Sequence, residues 1–326
     1  MFKFLKRAKH ERPQPPSLSA APTNLDARAL LARVAWTSAR RLDGLLQGNY
    51  RTLFRGSGLM LADIREYEPR DDVRYIDWNV TARMQTPHVR EHEEDRELAA
   101  WFLVDLSPSI DFGSRGITKR EVAAQTIATL GHLLQQHGNR LGAIVDRGQA
   151  RLDILPARSS RRHLLHMLQH VLTAPTQSTQ SLTDLSDLLT RANRLIKQRS
   201  AVFVLSDFYT SVGWHKALAM LARRHDVIAV RLVDPLEQAL PDMGMLTMRD
   251  AETGEQVFVD TADTAFRRRF SQQVQAHETA LINTLTRAGV DCLELSTAQA
   301  VQDGLIRFIH ERQQFMRQAA GSLRRA

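Results

Sequence analysis

Asp105, Ser107 and Ser109 stand at alternate positions in Asp-Leu-Ser-Pro-Ser, directly after the apolar run Trp101 to Val104. Aromatic and β-branched residues in a short apolar run predict a buried strand, and Pro108 stops its regular continuation. One carboxylate and two hydroxyls are then left in a loop at the C-terminal end of a strand, the edge at which open parallel sheets bind ligands. Oxygen side chains of this kind suit a hard cation such as Mg²⁺, which is usually held by one or two carboxylates and several waters. Further oxygens must come from elsewhere. Ala201 to Ser206 is a second apolar run and ends in Asp207, and Thr183 precedes a helical pattern. Each group also has a plainer use: Asp and Ser are common in turns, and Thr183 suits a helix N-cap.

The elements that must carry these groups alternate along the chain. Strands are expected at Leu141 to Val145, Arg151 to Leu155, Ala201 to Ser206, Val227 to Val233 and Val290 to Leu295. Helical spacing marks Lys119 to Gln136, Ser160 to Leu172, Leu182 to Ile196, Trp214 to Arg224, Thr264 to Arg287 and Ala298 to Gln318. Such alternation predicts an α/β fold, a mostly parallel sheet flanked by helices. Met245 to Arg249 and Gln256 to Val259 straddle Glu-Thr-Gly-Glu and read as a β-hairpin. Leu25 to Leu46 reads as an amphipathic helix that packs on the rest, with Asn24 as its cap.

Residues 48–100 interleave acids, arginines and aromatics: Tyr67-Glu68-Pro69-Arg70-Asp71-Asp72-Val73-Arg74-Tyr75-Ile76-Asp77-Trp78, then Ala82-Arg83. Arginine forks match carboxylates and stack on rings, so a structural network is expected here, with a partner-binding surface as the alternative. This motif, followed by a strand ending in Asp-x-Ser-x-Ser, resembles the domain-of-unknown-function family associated with MoxR ATPases, whose members have a von Willebrand factor A-like fold. The similarity runs from about Tyr50 to about Arg312. It implies a metal-ion-dependent adhesion site in which Ser107, Ser109 and Thr183 bind the ion directly and Asp105 and Asp207 act through water. It also implies Mg²⁺, with Mn²⁺ or Ca²⁺ possible, an acidic residue of a protein partner as the remaining ligand, and a MoxR-type AAA+ ATPase as that partner. The sequence departs from the family pattern in three places. Ser181 and Leu182 replace two glycines before Thr183, which leaves Ser181 or Thr179 as alternative ligands. Phe208 follows Asp207 where many relatives have Gly, and Arg70 also stands where Gly is usual.

The implied organisation is a basic, Pro-rich tail over 1–24, a helix and family-specific β-containing segment over 25–98, the A-like domain over 99–312, and a basic tail over 313–326. Of 326 residues 43% are hydrophobic and 25% charged, ordinary globular composition. The net charge of +8 lies in the ends, since residues 1–24 carry five Lys/Arg against one Glu and residues 305–326 five Arg against one Glu. That weakens a nucleic-acid reading, which needs a basic face on the body. The single cysteine, Cys292, excludes an intrachain disulfide framework and reads as a core hydrophobe. With no apolar run of membrane-spanning length, the expected location is cytoplasmic. His88, His92 and Glu93 lack a well-spaced third zinc ligand, and His163, His166 and His170 read as surface histidines. Asp111-Phe112-Gly113 matches a kinase tripeptide without the loops that would give it meaning. The expected function is a non-enzymatic, ion-dependent protein-interaction module. A metal-dependent hydrolase would need a general base beside the ion, and an RNA-binding A-domain would rely on the basic ends.

Overall fold

The computed structural model describes residues 26–41, 64–68, 71, 73, 76–90, 99–148, 152–175, 184–210, 213–249 and 254–323. The expectations for residues 1–24, for His92 and Glu93, for Asp72, Arg74 and Tyr75, and for Thr179, Ser181 and Thr183 lie outside them.

The apolar runs form a six-stranded sheet. Its strands are β3 (Ala99–Asp105), β4 (Arg140–Asp146), β5 (Leu152–Arg158), β6 (Ala201–Ser206), β7 (Asp226–Val233) and β10 (Asp291–Ser296), in the order β10-β7-β6-β3-β4-β5. All neighbours are parallel except β4 and β5, which pair antiparallel. The fold is thus the expected mostly parallel α/β sheet with helices on its faces. From β3 the chain passes first to β4 on one side and later returns to β6 on the other. The strand order reverses between β3 and β6, which opens a crevice at their C-terminal ends.

One face of the sheet is covered by α1 (Ala27–Arg41), α3 (Lys119–Gln136), α4 (Arg161–Thr173) and α9 (Val301–Leu323). Leu30, Leu31, Ile127, Leu130, Leu164, Leu168, Leu305 and Phe308 bury their side chains there. The other face is covered by α5 (Leu185–Leu195), α6 (Trp214–Arg224) and α8 (Thr264–Ala288), through Leu188, Leu189, Leu218, Leu221, Leu281 and Leu285. A sheet buried on both sides needs strands apolar at every position, and β6 and β7 are buried throughout.

Smaller elements complete the chain: β1 (Ile64–Glu66) pairs antiparallel with β2 (His88–Arg90), and α2 (Trp78–Met84) lies between them. After α7 (Pro235–Gln238), β8 (Met245–Arg249) and β9 (Gln256–Asp260) form the expected hairpin. Leu240, Phe270 and Val274, with Met248 and Phe266 against them, form a small core where α8 meets the β7–β8 connection and the hairpin.

Two expectations change. Helix α1 starts at Ala27, and Asp26, not Asn24, accepts from the Arg28 N–H at 3.1 Å. Cys292 is exposed rather than part of the core, because β10 is an edge strand that turns Leu293 and Leu295 inward and Cys292 and Glu294 outward.

Candidate metal centre

Pro108 starts a 3₁₀ turn, Pro108–Asp111, so the chain folds back directly after β3. The turn brings Ser107 and Ser109 together, with their Oγ atoms 3.0 Å apart. The Ser107 N–H donates to Asp105 Oδ1 at 3.0 Å, and the Ser206 hydroxyl, from the end of β6, donates to Asp105 Oδ2 at 2.8 Å. Asp105, Ser107 and Asp207 are all buried. The next residue, Phe208, has φ 59°, the left-handed region that bulky side chains rarely enter. Burial of the Phe208 ring, its packing on Trp214 and a 3.0 Å bond from its N–H to Ser206 Oγ offset the strain.

The charged partner of Asp207 comes from the first turn of α3. Lys119 is fully buried, and its Nζ donates to Asp207 Oδ2 at 2.8 Å and to Glu237 Oε1 at 2.7 Å. Glu237 belongs to the capping box of α7, and its other oxygen accepts from the Asp234 N–H. The neighbouring Arg120 grips Asp111 on the 3₁₀ turn and donates to the carbonyls of Val171 and Ala174 at 2.8 Å each, where α4 ends. One helical turn thereby ties together the loops after β3, α4, β6 and β7. Gly113 lets α3 start this close: a Cβ there would stand 2.1 Å from the Ile117 carbonyl oxygen.

Burial drives the electrostatics. It pushes the Asp105 carboxyl up to about 7, and the charge of Asp207 adds to the effect. Burial would also raise Asp207 and lower Lys119, but the ion pair between them wins, so Asp207 is held low and Lys119 high. Asp146, opposite Asp105 in the β3–β4 register, is raised by burial as well.

The residues present fit a divalent ion. Asp105 is a buried carboxylate whose hydrogen bonds come from neutral donors, next to a second carboxylate and a pair of hydroxyls. Among the described residues no group of three or more His, Cys, Asp or Glu side chains is placed to hold a metal, so an ion here would depend on hydroxyl oxygens. Four of the five expected ligands, Asp105, Ser107, Ser109 and Asp207, share this rim, linked by the bonds above and by a hydrogen bond between Ser109 and Asp207. Thr183 and its alternatives Ser181 and Thr179 lie outside the described residues. Asp184 caps α5, and the Leu185 N–H donates to Thr210 Oγ1 at 3.3 Å, so the start of α5 lies beside the segment that carries Asp207.

Sequence reasoning missed Lys119, Arg120 and Glu237. The signal was there, since two basic residues in the first turn oppose the helix dipole. The histidines of α4 also differ from expectation. His163 is buried, and His170 Nε2 sits 2.9 Å from Asp153 Oδ2, which β5 brings to it and which Arg147 also binds. His88 is bonded through Nδ1 to the Thr86 carbonyl oxygen at 2.7 Å. Among the described residues no helix is long and apolar enough to cross a membrane.

The solved structures to which this chain is similar include the following three. BatB from Bacteroides thetaiotaomicron is 16% identical, with 67% of this chain and 99% of that chain covered and a TM-score of 0.41. An aerotolerance-related membrane protein from Bacteroides fragilis is 14% identical, with 66% and 99% covered and a TM-score of 0.43. The SpRpn10 VWA domain is 14% identical, with 64% and 93% covered and a TM-score of 0.36. In sequence, the "Uncharacterized protein Rv1480" of Mycobacterium tuberculosis and "Uncharacterized protein Mb1516" of Mycobacterium bovis are each 35% identical over 284 residues, 87% of this chain and 89% of the relative. A family profile described as "Protein of unknown function DUF58" matches residues 63–280, two thirds of the sequence, and the chain belongs to that family.

Proposed function

We propose that this protein is a non-enzymatic protein-interaction module whose rim holds a divalent ion, Mg²⁺ by preference, and that the ion binds an acidic side chain of a protein partner. The observation that carries this reading is the meeting of Asp105, Ser107, Ser109 and Asp207 at the strand-order reversal, with Asp105 met, among the described residues, by neutral donors. Hydroxyl ligands leave an ion strongly electrophilic, so a carboxylate from outside is a good final ligand. The family resemblance supports a MoxR-type AAA+ ATPase as the partner, in maturation or remodelling of protein complexes.

Hydrolysis would require a free base at the ion. Glu237 has one oxygen on Lys119 and the other on the Asp234 N–H, and Asp146, opposite Asp105, accepts from the Gly148 N–H. The test is co-purification with the ATPase. Asp105→Ala and Ser107→Ala should abolish it while circular dichroism stays at the parent's. Variants that capture the ATPase as well as the parent does would end ion-bridged docking, and an ion-dependent phosphatase activity lost in Asp105→Ala would move the protein into the hydrolase class.

A further inference from the structure

We infer that Lys119 is the resident counter-cation of the rim: its ammonium holds Asp207 and Glu237 together when no divalent ion is present and sets how tightly the rim takes one. This rests on the ion-binding reading above, and its test separates the two. The ammonium has no exposed surface and spans two carboxylates, at 2.8 and 2.7 Å. A lysine so placed is not a solvated surface charge that happens to meet an acid. It is committed to these partners, because a buried cation without them would be strongly unfavourable.

The charge count gives the inference its direction. Asp105, Asp207 and Glu237 are three carboxylates, and Lys119 is the one ammonium bonded within the group. With all three carboxylates ionised, as an ion bound at the rim would keep them, two negative charges remain among these four side chains, the complement of one divalent ion. Without Lys119 the excess would be three, and the rim would attract a divalent ion more strongly. Without the charge of Glu237 it would be one, and the attraction would fall. The two substitutions should therefore move ion affinity in opposite directions, although each breaks the same Lys119–Glu237 contact. A purely structural role for the contact would weaken binding in both.

The experiment measures Mn²⁺ affinity by calorimetry and by electron paramagnetic resonance on the full chain. Parent, Lys119→Met, Glu237→Gln and Asp105→Asn proteins are compared at one fixed low salt concentration. Lys119→Met should bind Mn²⁺ roughly tenfold tighter than the parent, and Glu237→Gln roughly tenfold weaker. Lys119→Met should also lose thermal stability in chelator and regain it with Mn²⁺. Where Lys119→Met does not fold, Lys119→Gln, which removes the charge but keeps a polar side chain that can still donate to Asp207 and Glu237, takes its place, and tighter Mn²⁺ binding by it decides the inference. Equal or weaker binding by a folded Lys119→Met, or unchanged binding by Glu237→Gln, would overturn the role of Lys119. In that case Asp105-dependent binding by the parent would still uphold the ion reading. No Mn²⁺ binding by parent or variants would overturn both.

Discussion

Arg120 shows what a single side chain does here. Basic residues in a helix's first turn oppose its dipole, so Lys119 and Arg120 need another reason to be at the start of α3. For Arg120 the reason is three acceptors on two other segments, Asp111 and the carbonyls of Val171 and Ala174. Arg120→Met would leave both carbonyls unsatisfied in a buried place, and roughly 2–3 kcal/mol of stability should be lost. The urea midpoint should fall with the slope unchanged. Asp111→Asn should cost well under half of that, because Asp111 is largely exposed and both carbonyl bonds survive. Equal losses in the two variants would mean that the carbonyl anchors contribute nothing. At this scale the sequence was half legible. Asp105, Ser107, Ser109 and Asp207 could be read because they lie at the ends of apolar runs. Lys119 and Glu237, by contrast, are 118 residues apart and acquire meaning only when the fold joins them.

At the scale of elements, legibility followed length and burial. Lys119–Gln136, Ala201–Ser206 and Trp214–Arg224 have the bounds that their apolar patterns predict. The four-residue α7 was missed, although Asp234-Pro235-Leu236-Glu237 spells out its capping box. The edge strand β5 runs three residues beyond its predicted end, because one of its faces is largely solvated and its apolar signal is weak. The junction of α6 and β7 places His225 where pH should act on stability. Its ring is buried, and neither ring nitrogen has a hydrogen-bond partner among the described residues. Burial, with Arg224 and Arg199 nearby, lowers its pKa from 6.5 to about 4. The unfolded chain therefore binds the extra proton first. The stability from keeping this ring neutral is complete above the unfolded value and is lost as pH falls toward the folded one. Between pH 7 and pH 5 the loss should be about 2 kcal/mol. Urea titrations at both pH values should show that component in the parent and not in His225→Leu; an equal acid loss in both proteins would place the sensitivity elsewhere.

For the whole molecule, what matters is where the rim lies relative to the cores. Helices bury both faces of the sheet through two separate apolar clusters, and the oxygen ligands stand at the strand ends, outside both. The fold should therefore not need the ion, and chelation should leave the far-ultraviolet circular dichroism unchanged. Binding still adds stability by mass action, about 2.7 kcal/mol at a free ion concentration of 100 times Kd. For a chain of this size that corresponds to a rise in Tm of roughly 5 °C. Scanning calorimetry with Mn²⁺ and with chelator measures it, and the rise should vanish in Asp105→Asn. The charge distribution makes this a usable control, because the net charge of +8 lies in the two ends and residues 25–304 sum to zero. A rise that depends on Asp105 must then come from the local excess of carboxylate at the rim and not from a general negative field of the body. A rise of the same size in Asp105→Asn would place the ion on some other acidic part of the surface, and the rim would then have no claim to it.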